Sequence, residues 1–217
     1  IRRDCARYAA RVSVNRDCST LLDENGNVLP VNGKGAPSPV PFLCPDGIEI
    51  AACDRQMFVR RQAGTVWASE GNITLPDSIP FAQIACGKDH IALRTPDGKV
   101  LAYGDDTCGQ CDTSDFSDIT AIACTEKFVV GLSYGRTMRA AGAIPFPIKE
   151  LLRFRDIVSF AVSEDHVAGL CADGTAVACG ENGYGQCNVG DWQNLPAVAC
   201  GAGYTIGLCA DGSVVAT

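Results

Sequence analysis

Two histidines, His90 and His166, and thirteen cysteines are the residues of this 217-residue chain best equipped for acid–base, nucleophilic or metal chemistry. Their spacing argues against such use. The segments IACGKDH, IACTEKF, FAVSEDH and VACGAGY begin at residues 84, 122, 160 and 198, each 38 after the last. His90 and His166 fall in one column of this repeat, together with Phe128 and Tyr204. A position open to His, Phe and Tyr alike is a packing position. Neither histidine is assigned to catalysis or to a metal. Cys108-Gly-Gln-Cys111 has the form of a redox or zinc pair, which needs a helix N-terminus or a second pair beside it. Neither is visible, and the matching residues of a later unit read Tyr184-Gly-Gln-Cys187. No phosphate loop, nucleophile elbow or zinc-protease signature occurs. The expectation is a protein with no catalytic, cofactor-binding or metal-binding residues.

The other cysteines follow the same logic. Cys86, Cys124 and Cys200 share a column with Val14 and Val162, while Cys171 and Cys209 share one with Thr95. Exchange with small core residues is the behaviour of a buried free thiol. An odd number of cysteines also cannot pair completely within one chain. A reducing, cytoplasmic compartment is favoured, with secretion left open. Asn72-Ile73-Thr74 is a glycosylation triplet that would matter only in a secretory setting.

These residues must be held by short strands. In the third unit an apolar run at 84–86 is followed by a polar turn, an alternating segment at 90–94, the turn Pro96-Asp97-Gly98 and a run at 99–103 ending at Gly104. The pattern recurs with Asp173-Gly174 and Asp211-Gly212. Alternation with period two, and Asp-Gly at fixed offsets, reads as three antiparallel strands joined by hairpins. A unit this small cannot bury its apolar face alone and must stack on its neighbours. The fold class is therefore all-β, a β-propeller of about six three-stranded blades, with a seven-bladed ring or a fragment of one as the alternative. One domain, 1–217, divides into repeats at approximately 10–47, 48–80, 81–118, 119–156, 157–194 and 195–217. Ala85, Ala123, Ala161 and Ala199 form a small-residue column suited to a crowded innermost strand. Phe116, Phe154 and Trp192 form an aromatic column suited to packing between blades.

The run IACGKDHIAL…DGKVLAYGDDTCGQ, with a second good copy in GENGYGQC at 180–187, resembles the regulator of chromosome condensation repeat family. The likeness is specific over 82–118 and 157–217, moderate over 119–156 and poor before 81. It implies a β-propeller. The family's founding eukaryotic member is a nucleotide-exchange factor for a Ras-like nuclear GTPase that also binds chromatin. Compact bacterial members with three-stranded blades include a secreted β-lactamase inhibitor. Those members usually have seven blades, whereas six are counted here.

Charge narrows the partner. Residues 1–61 carry nine Lys and Arg against seven Asp and Glu; the remainder carries nine against eighteen. An acidic body repels a phosphate backbone, so nucleic acid is not an expected partner. Arg2, Arg3, Arg7 and Arg11 could form a basic arm but read more simply as a solvated face. No apolar run is long enough to span a membrane. The first turns of all blades and the loops leaving each third strand should gather on one side. That face would offer Arg16, Asp17, Arg55, Gln56, Lys88, Asp89, Glu126, Lys127, Glu164 and Asp165, and from the outgoing loops Asp105, Asp106, Glu181, Asn182 and Tyr184. The fourth unit departs from its relatives with AIPFPIKELLRFR at 143–155, read either as a repacked rim containing one helical turn or as a docking patch with Phe146 and Arg153. The expected function is a non-catalytic, monomeric protein-interaction scaffold with a protein partner. The alternatives are an exchange factor for a small GTPase and an enzyme-capping inhibitor.

Overall fold

Nineteen short strands and one helical turn make up the regular structure of the described residues in the computed structural model. The structure describes residues 12–14, 19–23, 27–30, 42–54, 56–69, 71–76 and 78–217. The strands form six antiparallel sheets, each built from consecutive strands. The first contains β1 (Val12–Val14), β2 (Ser19–Leu22), β3 (Asn27–Pro30) and β4 (Phe42–Leu43). The second contains β5 (Gly47–Ala52), β6 (Met57–Arg61) and β7 (Val66–Ala68), and the third β8 (Gln83–Cys86), β9 (His90–Arg94) and β10 (Val100–Gly104). The fourth contains β11 (Ile119–Cys124), β12 (Phe128–Ser133) and β13 (Met138–Gly142). The fifth contains β14 (Ile157–Val162), β15 (His166–Cys171) and β16 (Ala176–Gly180), and the sixth β17 (Ala197–Gly201), β18 (Tyr204–Leu208) and β19 (Val214–Ala216). These are the blades of a β-propeller. Among the described residues no strand ladder runs from one sheet to the next; side-chain packing and single hydrogen bonds, such as Ile119 N to Gly98 O (2.9 Å) and Gln83 Nε2 to Ile122 O (3.0 Å), join the blades.

The fourth strand of the first sheet is not anticipated by the three-strand unit. Phe42 and Leu43 pair with Val28 and Asn27 before the chain enters the second blade.

Local chemistry sets the hairpins. In the third blade Thr95 N donates to Lys99 O (2.9 Å) and Gly98 N to Thr95 O (3.0 Å), with Gly98 at φ +83°. In the fifth, Thr175 Oγ1 donates to Asp173 Oδ1 at 2.7 Å, and Gly174 again has φ +83°. The recurring Asp-Gly pairs are thus turn residues, the Asp bonding locally and the Gly taking the left-handed backbone. The fourth blade has Arg136 there, at φ +58°, a conformation that disfavours side chains other than Gly, Asn and Asp.

The aromatic column fills the seams between blades. Phe116 and Ile119 pack with Ala92 and Val100 of the preceding blade. Phe154 and Ile157 pack with Leu132 and Met138, and Leu195 with partly buried Trp192 packs with Leu170 and Ala176. On the other side of the seam a glycine makes room. A Cβ at Gly131 would lie 2.9 Å from the Phe116 ring, and one at Gly169 2.9 Å from Ile157 Cδ1. The variant segment of the fourth unit repacks this rim. Its turn, α1 (Ile148–Leu151), buries Leu151, and Phe146 meets Phe128 edge-on with ring centroids 6.5 Å apart. Phe146 is core, not a docking side chain.

Candidate functional site: the first-turn face

In the third, fourth and fifth blades, glycine at the end of the third strand fastens the outgoing loop to the first turn of the same blade. Gly104, Gly142 and Gly180 have φ of +115°, +111° and +127°. A Cβ at Gly180 would lie 2.4 Å from Asp165 O, so no larger residue fits. The next residue then bonds to the turn: Asp105 N to Asp89 O (2.9 Å), Ala143 N to Lys127 O (3.0 Å) and Glu181 N to Asp165 O (2.9 Å). First turns and outgoing loops therefore do form one face.

Several candidate residues on that face bind the protein itself. Lys88 Nζ lies 3.4 Å from Glu126 Oε1 on the next blade, and Glu126 N donates to Glu164 Oε1 (2.7 Å) on the blade after that. Burial pushes the Glu164 carboxyl upward despite that hydrogen bond. Asp106 Oδ1 accepts from Cys111 N at 2.8 Å. Asp105 accepts from Thr107 Oγ1 (3.0 Å), Thr107 N (3.2 Å) and Gln110 Nε2 (3.0 Å). The Thr107 hydroxyl bond is the main force holding Asp105 below its ordinary 3.8. Asp89, Lys127, Arg153 and Glu181 are exposed, and Tyr184 is the most solvent-open aromatic among the described residues, at 85%. Between the second and third blades, Asn72, Ile73, Thr74, Asp89, Tyr103, Gly104 and Asp105 line a cleft of about 580 Å³. Gln56, expected at the first turn, is instead buried: its Nε2 donates to Ile73 O (2.9 Å) and its Oε1 accepts from Ile73 N (2.9 Å). Arg2, Arg3, Arg7, Arg11, Arg16, Asp17 and Arg55 lie outside the described residues.

The Gly-Gln-Cys loops are built alike. Gln110 Oε1 accepts from Cys108 N and Gln186 Oε1 from Tyr184 N, both at 2.9 Å. Cys111 and Cys187 point their thiols at the carbonyls of Asp105 (3.4 Å) and Glu181 (3.3 Å). Burial, then neighbouring carboxylates, pushes both thiols up to about 11. A protonated thiol is a poor nucleophile and a poor metal ligand, so these cysteines are loop fasteners. Among the described residues no three His, Cys, Asp or Glu side chains gather to hold a metal, and the eleven described cysteines carry no disulfide.

The histidine column holds an arrangement that the sequence did not reveal. His166 Nδ1 lies 2.9 Å from Asp165 Oδ1 and 2.7 Å from Ser163 Oγ, while Nε2 lies 2.8 Å from Thr205 Oγ1 on the sixth blade. Hydroxyl, imidazole and carboxylate stand in the order of a hydrolytic triad. The chemistry is nevertheless blocked. Thr205 and His166 are fully buried, and the Thr205 hydroxyl donates its hydrogen to Gln186 O at 2.7 Å. Thr205 Oγ1 must then accept from Nε2–H, which makes the set a fastener between blades five and six. Asp165, a candidate surface residue, belongs to it. Burial would raise its carboxyl, but its hydrogen bonds with Ser163 and His166 outweigh that and hold it below 3.8.

The pattern that describes the regulator of chromosome condensation (RCC1) repeat matches residues 81–110 and 157–186. These two segments are RCC1 repeats. Yeast RCC1 (Prp20), solved bound to Kap60, superposes with a TM-score of 0.72 at 17% identity, over 94% of this chain and 68% of that one. The ectodomain of the Physcomitrella patens receptor kinase CR4 gives 0.77 at 14% identity, over 94% of this chain and 62% of that one. The corresponding ectodomain of Arabidopsis thaliana ACR4 gives 0.69 at 16%, over 94% and 78%. At such identities the likeness is one of fold. No curated protein matches the chain in sequence.

Proposed function

We infer that this RCC1-repeat propeller is a non-catalytic scaffold that binds a protein partner through its first-turn face. The observation that carries this reading is the contrast within that face: a backbone fixed by turn-to-loop hydrogen bonds presents side chains that differ from blade to blade. Variable residues on a rigid repeating frame are how such scaffolds recognise partners. The cleft beside Asp89, Asp105 and Tyr103 offers a concave anchor, and exposed Lys127, Glu181 and Tyr184 offer contacts around the ring. Arg153, exposed on the fourth rim, is a further contact in this reading. Lys88, Asp106, Glu126, Glu164 and Asp165 belong to the frame through their own hydrogen bonds. The exchange of Cys86, Cys124 and Cys200 with Val162 in one repeat column favours a reducing compartment. Yeast Prp20p has been studied for binding to Gsp1p and histones; for the present chain, exchange activity and enzyme capping are distinguished by what is captured.

The test is affinity capture from the source cells with the wild-type chain, with Asp89→Lys and with Glu181→Lys. Both substitutions are at exposed positions and should leave the thermal midpoint within a few degrees. Loss of a retained protein in either variant supports the face; retention unchanged in both sinks it.

A further inference from the structure

The fourth unit reverses the charge of the rim. From its hairpin to the start of the next blade, residues 134–156 carry five Lys and Arg against two Asp and Glu. The matching stretch of the third unit, 96–118, carries one against six, and that of the fifth, 172–194, none against three. All five cations, Arg136, Arg139, Lys149, Arg153 and Arg155, are exposed. Among the described residues none of them is in an ion pair with a carboxylate. The segment that turns Phe146 and Leu151 into the core thus leaves its cations in water.

The hairpin beside them departs as well. Where the fifth blade has Ala172-Asp173-Gly174, the fourth has Tyr134-Gly135-Arg136. Among the described residues four non-glycine residues have positive φ; three are Asp or Asn, and the fourth is Arg136. The Asp-Gly order used in the other hairpins would relieve that strain, so the fold itself does not require arginine here. Tyr134 is 83% exposed, a large aromatic that the core does not use, and Leu152 is 41% exposed. Ile157 N donates to Arg136 O at 3.2 Å, which sets the hairpin against the loop carrying Arg155. Arg155 Nη1 donates to Phe154 O (2.9 Å) and to Leu152 O, anchoring one nitrogen of an otherwise exposed guanidinium.

We propose that Tyr134, Arg136, Leu152 and Arg155 form a docking surface for an acidic segment of a partner protein. Charge complementarity carries the argument. Beyond residue 61, the chain outside 134–156 has four Lys and Arg against sixteen Asp and Glu, so an acidic segment is repelled elsewhere and attracted here. Guanidinium forks match carboxylates with two parallel hydrogen bonds, and an exposed tyrosine beside arginines is the composition of interface hot spots. The surface lies at the hairpin end of the blade, away from the first turns, and does not depend on what binds there. Arg153, which the first-turn reading also uses, is left out of the test.

A fluorescent oligo-glutamate, titrated with the full chain and followed by anisotropy, tests this. Wild type should bind it, and more weakly as salt rises from about 50 to about 300 mM. Arg136→Gly and Arg155→Gln should each weaken binding about three- to tenfold, and Tyr134→Ala about twofold. Arg136→Gly should also leave the urea midpoint equal or higher, because it relieves the backbone, which separates lost binding from lost folding. Asp89→Lys and Glu181→Lys, on the first-turn face, should bind the peptide at least as well as wild type, so either surface can fail without the other. No binding by wild type, or unchanged binding in all three hairpin-end variants, overturns the proposal. Tighter binding of single-stranded DNA of equal charge would assign the strip to nucleic acid. A concentration-dependent mass in light scattering, abolished by the arginine variants, would assign it to a second copy of this chain. Either result also overturns the proposal.

Discussion

His90 and His166 occupy the same position of the repeat, 76 residues apart, and both are wholly buried, yet their surroundings are opposite. His166 has Ser163 and Asp165 on one nitrogen and Thr205 on the other. His90 has no hydrogen-bond partner for either nitrogen among the described residues. The cause is visible in the neighbouring residues. The turn before His166 is Ser163-Glu164-Asp165, while that before His90 is Gly87-Lys88-Asp89, which lacks the hydroxyl. The residue reaching across from the next blade is Thr205 in one case; the corresponding position in the other is Val129. One histidine is a fastener and the other is a core filler whose polarity is uncompensated. An imidazole in such a column gains nothing from its type alone; it depends on what the adjoining blade supplies.

The largest effect should come from removing the satisfied member. His166→Phe makes the fifth blade resemble the fourth, where Phe128 fills this position, but it discards the imidazole's hydrogen bonds to Ser163, Asp165 and Thr205. A loss of about 2–3 kcal/mol is expected, since a buried hydroxyl and a hydrogen-bonded carboxylate each lose a partner. Urea unfolding with an unchanged m-value is the measurement. A loss within experimental error would mean that the network contributes shape alone.

The reciprocal change should act with the opposite sign. His90→Phe replaces two unpartnered polar atoms by a ring that the same column already accepts, and a gain of about 1 kcal/mol is expected. Destabilisation by that amount would show that the His90 nitrogens have partners under native conditions, and the contrast between the two histidines would fail.

How far these differences can be read in advance depends on the range of the interaction. The 38-residue period, the Asp-Gly hairpins, the aromatic column and the gathering of first turns on one face follow from local pattern, and all are present in the structure. The same columns correctly made Cys108 the counterpart of Tyr184, a loop residue. They left Phe146 open between rim and docking patch, because only the three-dimensional rim shows it meeting Phe128. They also hid the roles of Glu164 and Asp165, which look like free surface charges until Glu126 N and His166 are placed beside them. A column shows which residues substitute for one another, whereas the partner of His166 sits 39 residues further on, in another column.

The smallest effect is the dependence on pH, and it separates the two histidines most cleanly. Burial lowers the His90 pKa from 6.5, and the nearby Asp105, Asp89 and Asp106 only partly oppose it. The unfolded chain therefore binds the proton more tightly than the folded one. The stabilisation that comes with neutral His90 is complete above pH 6.5 and is lost as the pH falls from there through the lowered folded value. Its slope cannot exceed about 1.4 kcal/mol per pH unit, one proton's worth. Glu49 and Glu164, raised from 4.5 by burial, act in the opposite sense above that value, so the raw curve mixes contributions. The difference between wild type and His90→Phe isolates the histidine. The variant's advantage should widen as the pH is lowered from 7.5 toward 5. An advantage that stays constant over that range would mean that His90 takes up its proton as readily in the folded protein as in the unfolded chain, and the acids around it would then be its partners after all.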